Sequence, residues 1–241
     1  MTVNTRFDRA WREARLFSGF FTLLTSRILE LNPRFKPQTS GYTRCNMRVL
    51  GIDCGTEYTG YGIVDLLFER AELDQRSDVR YTARPENDRL VCVACGAIKV
   101  SPHDPMPTRL AGIARGLEQL IVLHQPNRVA IEDVFYAVNV KSALKLGQVR
   151  GVAMLIAASA GLEVAEYSPL SIKSAVVGYG KAEKHQVQQM VARLLRLDQI
   201  PEPPDAADAL AIAICHLHTA ATLELQAVGF DRRSTRQRSA G

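Results

Sequence analysis

The spacing of apolar residues changes along the chain, and each change marks an element. "RVLGID" (48–53) is almost continuously apolar, as in a strand buried on both faces. "CGTEYTG" then reads as a turn and "YGIVDL" (61–66) as a second strand, so the two form a hairpin. Residues 69–89 are charged and poorly patterned, which predicts an exposed loop. "LVCVACGAIKV" (90–100) reads as a third strand, "RVAIED" (128–133) as a fourth and "LEVAEYS" (162–168) as a fifth. Helical spacing covers 107–126, opened by Pro107 and closed at Pro126, and 139–161, closed by Gly161. Two more helices fall at 181–197 and 205–218. The order βββαβαβαα predicts an α/β domain, a mixed five-stranded sheet flanked by helices.

The ends do not share this pattern. Residues 1–46 lack a sustained period and finish in turn-forming residues, so Met47 is expected to be the natural start and 1–46 an extension outside the fold. Residues 222–241 read as a basic disordered tail, which leaves 47–221 as the domain. The longest apolar run near the start, "LFSGFFTLL" (16–24), is too short to span a membrane and has no cleavage site behind it. Five irregularly spaced cysteines do not form a disulfide framework, so a reduced, cytoplasmic protein is expected.

Charge refines the picture once it is located. The net charge is +5, but the tails hold +7 and residues 47–221 hold −2. Within the domain, 141–196 has eight basic residues against three acidic ones. That polarity suits a basic surface beside an acidic site, and equally an ordinary solvated face.

Four acids stand in apolar settings. Asp53 ends the first strand. Glu132 is near the end of the fourth and shares a face with Ala130. "DAADALAIAI" (205–214) sets Asp205 and Asp208 one turn apart on the last helix. Helix capping accounts for Asp205 after Pro203 and Pro204, and only in part for Asp208. Carboxylates buried at strand ends are costly unless a cation offsets them, and hard oxygen ligands suit Mg²⁺ or Mn²⁺. Two such ions about 4 Å apart can drive phosphodiester hydrolysis. Composition alone does not bring the acids together.

Five blocks, "GIDCGTEYTGYGIV" (51–64), "VAIEDVF" (129–135), "SALKLGQVRGVA" (142–153), "VVGYGKAEKHQVQQMV" (176–191) and "DAADALAIAI", resemble in order and spacing those of the RuvC family of crossover junction endodeoxyribonucleases. The resemblance implies an RNase H-like fold and a homodimer that resolves four-way (Holliday) junction DNA by paired symmetric nicks. It also suggests a branch-migration helicase partner and no membrane. It carries over Asp53, Glu132, Asp205 and Asp208 as the catalytic metal ligands for two Mg²⁺ ions, with Mn²⁺ as a substitute. Asp53 would bridge both ions, Glu132 and Asp208 would hold one each, and Asp205 would complete the set or place the water.

Phe135 matches an aromatic that contacts bases near the cut, with Tyr136 placed to assist by stacking. Packing under a helix is the alternative for both. Lys173 and Lys184 match lysines near the scissile phosphate, while Lys141, Lys145 and Arg150 are more generic DNA-contact candidates. Gly147 and Gly151 suit close approach, either of a partner's helix or of the chain's own sheet. "CVAC" (92–95) lacks further zinc ligands, and its cysteines should point to opposite faces of a strand and pack in the core. His216 and His218 offer only a remote metal site.

The first block also resembles the phosphate-binding hairpin of the actin and sugar kinase superfamily. Such ATPases use two domains, for which the chain is too short. An RNA-trimming nuclease would share Asp53 without the lysine-bearing blocks. A catalytically inert junction binder gains nothing from four acids set against phosphates.

Overall fold

The structure, a computed structural model, describes residues 42–71, 89–133 and 140–220. By internal contacts the chain divides into Met1–Thr43 and Arg44–Gly241, and the second unit carries the sheet and its helices. The described strands are β1 (Tyr42–Asp53), β2 (Tyr58–Ala71), β3 (Arg89–Lys99), β4 (Arg128–Glu132) and β5 (Glu163–Tyr167). The helices are α1 (Met106–His124), α2 (Val140–Ser159), α3 (Pro169–Val177), α4 (Lys184–Leu194) and α5 (204–220).

The strands form one sheet in the order β3-β2-β1-β4-β5. β2 and β3 are antiparallel, while β4 runs parallel to both β1 and β5. The sheet is therefore mixed, as expected. β1 and β2 are joined by residues 54–57, too short a link for a parallel crossover, so they form the expected hairpin. Its turn is held from several sides: Thr59 Oγ1 donates to Gly55 O at 2.9 Å, Val100 N to Glu57 O at 3.0 Å, and the buried Arg109 of α1 to Thr56 O.

Alternation along the strands sends side chains into two cores. Leu50, Ile52, Val129 and Ile131 face α1 and α2. Val49 and Ala130 face α3, α4 and α5. Asp53 and Glu132 continue the second series. α5 is buried almost all round, which explains its apolar sequence. It lies directly on the backbone of β1 and β2. A Cβ on Gly51 would meet Ala209 O and come within 2.8 Å of Ala213 N; one on Gly62 would come within 2.6 Å of Leu210 N; one on Gly60 would meet Asp205 O. These glycines, which in sequence also suggested a phosphate cradle, are covered by a helix.

Several expectations are corrected. β1 begins at Tyr42 and β2 runs to Ala71, so strand extends into both the supposed extension and the supposed loop. Backbone pairing, which polar residues tolerate, sets strand length where the apolar pattern stops. The remainder of those two segments (1–41 and 72–88), and the tail, lie outside the described residues. α3 was not expected, although Ser168 caps it by accepting from Ser171 N, Pro169 opens it and Gly178 (φ 92°) stops it.

Cys92 and Cys95 do not point to opposite faces. A register shift between Ile63 and Val64 pairs Gly62 with Cys95 and Val64 with Cys92. Gly62 and Val64 share a face, so their partners do too. Both cysteines still pack against the core beneath α5.

Gly62→Ala is expected to cost about 1–3 kcal/mol, because backbone rather than a pliable side chain stands in the way. Urea unfolding of parent and variant measures it. Equal stability would mean that α5 can retreat from the sheet.

Candidate active site

The acids converge through the register and the helix together. Ile52 pairs with Ile131, so Asp53 and Glu132 are the next residues along two adjacent parallel strands. Both point toward α5. The helix begins at 204, which puts Asp205 in its first turn rather than at the cap, with Asp208 one turn on. Asp53, Glu132 and Asp208 line a cleft of about 370 Å³ together with Lys173 and Lys184. Asp205 is not in that lining, yet its charge reaches Asp53. A second cavity, about 400 Å³ at the end of α4, contains only Arg193 and Asp198 as charged groups.

Crowding shows in the protonation of the cleft. The Asp53 carboxyl is pushed up to about 7, first by burial and then by Asp208, Glu132 and Asp205, with Lys184 pulling the other way. Burial and Asp208 also raise Glu132, against Lys173 and Lys184. The Lys184 ammonium sits 2.7 Å from Asp208 Oδ2, and that contact holds its own pKa up.

Among the described residues no three acid, histidine or cysteine side chains are drawn tightly enough to close on one ion. The donor set nevertheless fits hard divalent cations. It is all carboxylate, it faces an open cleft, and burial and the neighbouring acids push the carboxyl of its central member, Asp53, up to about 7.

The other expected residues are placed unequally. Lys173, on α3, is half-buried at the cleft wall. Lys141 and Lys145 are exposed on the first turns of α2. Arg150 is instead ion-paired to Asp133 and Glu166. Phe135 and Tyr136 lie outside the described residues. His216 Nδ1 is 2.9 Å from Tyr167 Oη, and His218 Nδ1 is 2.9 Å from Ala175 O, so each helps hold α5 to its neighbours. The sequence reading missed the α3 wall of the cleft and the acids that engage Arg150. The Ser-Pro start and Gly stop of α3 were legible signals; the two ion-pair partners had none in sequence.

A carboxyl raised on folding favours the folded state at low pH and loses that contribution as pH climbs toward the raised value. For Asp53 the window runs from its ordinary value near 4 to about 7. In EDTA, thermal stability should therefore fall more between pH 5 and pH 8 in the parent than in Asp53→Asn. Parallel profiles in the two proteins would contradict the raised Asp53.

The profile of the family described as crossover junction endodeoxyribonuclease RuvC matches residues 49–216. The crossover junction endodeoxyribonuclease RuvC of Koribacter versatilis is 62% identical over 177 residues, which are 73% of this chain and 96% of that protein. Among solved structures, Thermus thermophilus RuvC superposes with a TM-score of 0.61 at 30% identity, covering 73% of this chain and 96% of the other. T. thermophilus RuvC in complex with Holliday junction substrate gives a TM-score of 0.61 at 27% identity, with the same coverage.

Proposed function

Because the chain belongs to the RuvC family of crossover junction endodeoxyribonucleases, we propose that it resolves Holliday junctions by paired symmetric nicks, using divalent metal at the acid cleft. The observation that carries this reading is the meeting of Asp53, Glu132 and Asp208 in one cleft, with Asp205 close behind. The family match spans 49–216, which supports a nuclease domain running from β1 to about 221, with the residues before Tyr42 and 222–241 as appendages.

Asp53, Glu132, Asp205 and Asp208 would hold two Mg²⁺ ions, with Mn²⁺ as a substitute and Asp53 as the central ligand of the set. Bound there, the ions supply the activated water and the charge that stabilises the leaving oxygen. The protein's own groups do the rest. The pairing of β1 with β4 fixes the direction of the half-buried Asp53 and Glu132, and α5 brings up the remaining acids. Lys173 and Lys184 set positive charge at the rim, where a phosphate enters. Lys141 and Lys145 extend that surface along α2. Phe135 and Tyr136, in the segment just after β4, stack on bases near the cut.

A two-fold junction suits a two-fold enzyme, and α2 supplies a face for it. Val140, Leu144 and Leu155 are 73%, 66% and 63% exposed. Gly147 and Gly151 lie on the same side with nothing among the described residues within 4 Å of where a Cβ would stand, so they do not pack on the chain's own sheet. A partner's α2 would cover that stripe. A branch-migration helicase is the expected further partner, read from the family alone.

The deciding assay compares a labelled mobile four-way junction with a linear duplex of the same sequence, in Mg²⁺ and in EDTA. Paired nicks in the junction only, dependent on metal, are expected; Asp53→Asn should bind the junction and not cut it. A junction left whole in both Mg²⁺ and Mn²⁺ would overturn the reading. Leu144→Asp should shift the protein toward monomer in sedimentation, and an unchanged dimer would move the interface off α2.

A further inference from the structure

Arg150 is placed unlike the other cations proposed to meet DNA. Lys141 and Lys145 on the same helix are exposed, and the Lys184 side chain is 63% exposed. Arg150 is only 17% exposed, and its guanidinium forks between two acids. Nη1 donates to Asp133 Oδ1 at 2.9 Å, and Nη2 pairs with Glu166 Oε2. Its Nε is buried without a hydrogen-bond partner among the described residues. One cation between two carboxylates leaves this spot net negative, which repels a phosphate rather than receiving it. To reach one, Arg150 would have to abandon both acids and leave the half-buried Asp133 without its cation.

The two acids sit where they matter. Asp133 directly follows Glu132, the last residue of β4, and its backbone N donates to Tyr167 O at 2.7 Å. Glu166 is the residue before Tyr167 on β5. The end of β4 is therefore tied twice, by backbone to β5 and by the Asp133 side chain to α2. Neighbouring residues on a strand point to opposite faces, so this tie lies behind the sheet while Glu132 is presented to the cleft in front. A planar fork holds two carboxylates at a fixed spacing in a way that a lysine cannot.

We propose that Arg150 is a positioning residue, fixing the end of β4 and with it the Glu132 carboxylate against α2, and is not a DNA contact. The inference rests on the acid cleft being the cutting site. It places one carboxylate of the cleft and the exposed face of α2 on a single braced piece of the protein.

The test uses Arg150→Gln and Arg150→Lys beside the parent and Lys184→Ala. Three quantities are read at a temperature where circular dichroism shows each protein folded. They are the salt dependence of junction binding in EDTA, the affinity of the metal-free protein for Mn²⁺ alone, and the single-turnover cutting rate at saturating protein. Arg150→Gln should keep the parental salt slope, whereas Lys184→Ala loses about one unit of it. Arg150→Gln should bind Mn²⁺ about tenfold more weakly and cut at least about tenfold more slowly. Arg150→Lys, which keeps one pair, should recover part of both losses. Glu166→Gln should give the same signature in weaker form, and it decides the matter if Arg150→Gln does not fold.

A salt slope reduced by about one, with cutting at the parental rate once bound, would make Arg150 a phosphate contact after all. Lower thermal stability with unchanged Mn²⁺ affinity and rate would make it a brace for the fold alone. If the parent itself leaves the junction whole, the proposed function fails, and the Mn²⁺ affinities and salt slopes still decide where Arg150 acts.

Discussion

The closeness of one helix to two strands is the constraint on which the rest of this molecule depends. α5 can lie on β1 and β2 only because Gly51, Gly60 and Gly62 present no side chain, and because the helix answers with Ala206, Ala209 and Ala213. Aspartate has a short side chain, so Asp205 and Asp208 must be delivered by the backbone; they have no reach of their own. Larger residues along that seam would lift the helix and carry both acids away from Asp53. The glycine spacing of the hairpin and the alanine spacing of the helix are two halves of one requirement.

Around the strand ends that carry the site, the two faces of the sheet treat charge differently. Behind it, acids are matched by an arginine: Asp133 and Glu166 share Arg150. In front, acids crowd one another, and the lysines beside them stand at the solvent edge. Desolvated and repelled by their neighbours, Asp53 and Glu132 hold their charge only at a cost, and the Asp53 carboxyl is pushed up to about 7. Pairing in one place and frustration in another lets a stable scaffold carry the acid cleft of a metal-dependent nuclease family.

Much of this was legible in the order of residues alone. Strand alternation put Ala130 and Glu132 on one face, and the structure keeps them there. The helix boundaries at Pro107, Gly161 and the 205–214 run fell within a few residues of those observed. What stayed hidden depended on partners distant in sequence. The register shift that turns Cys92 and Cys95 to one side belongs to the pairing of two strands and leaves no trace in "CVAC" itself. Arg150 reads as one more helix cation until Asp133 and Glu166 are brought beside it. The short α3 was missed for a different reason. Its nine residues are too few for a clear period, and its caps had to be read alone.

Asp53 and Asp208 stand at opposite ends of the domain's sequence, with α5 as the last described element. During synthesis the strands bearing Asp53 and Glu132 leave the ribosome well before that helix exists. A nascent or truncated chain thus holds half of the acid cluster and none of the part that closes it. A nuclease that nicked DNA while half made would be a hazard to its cell. Here the order of the chain leaves the cleft incomplete until α5, the last described helix, docks on its glycine seam.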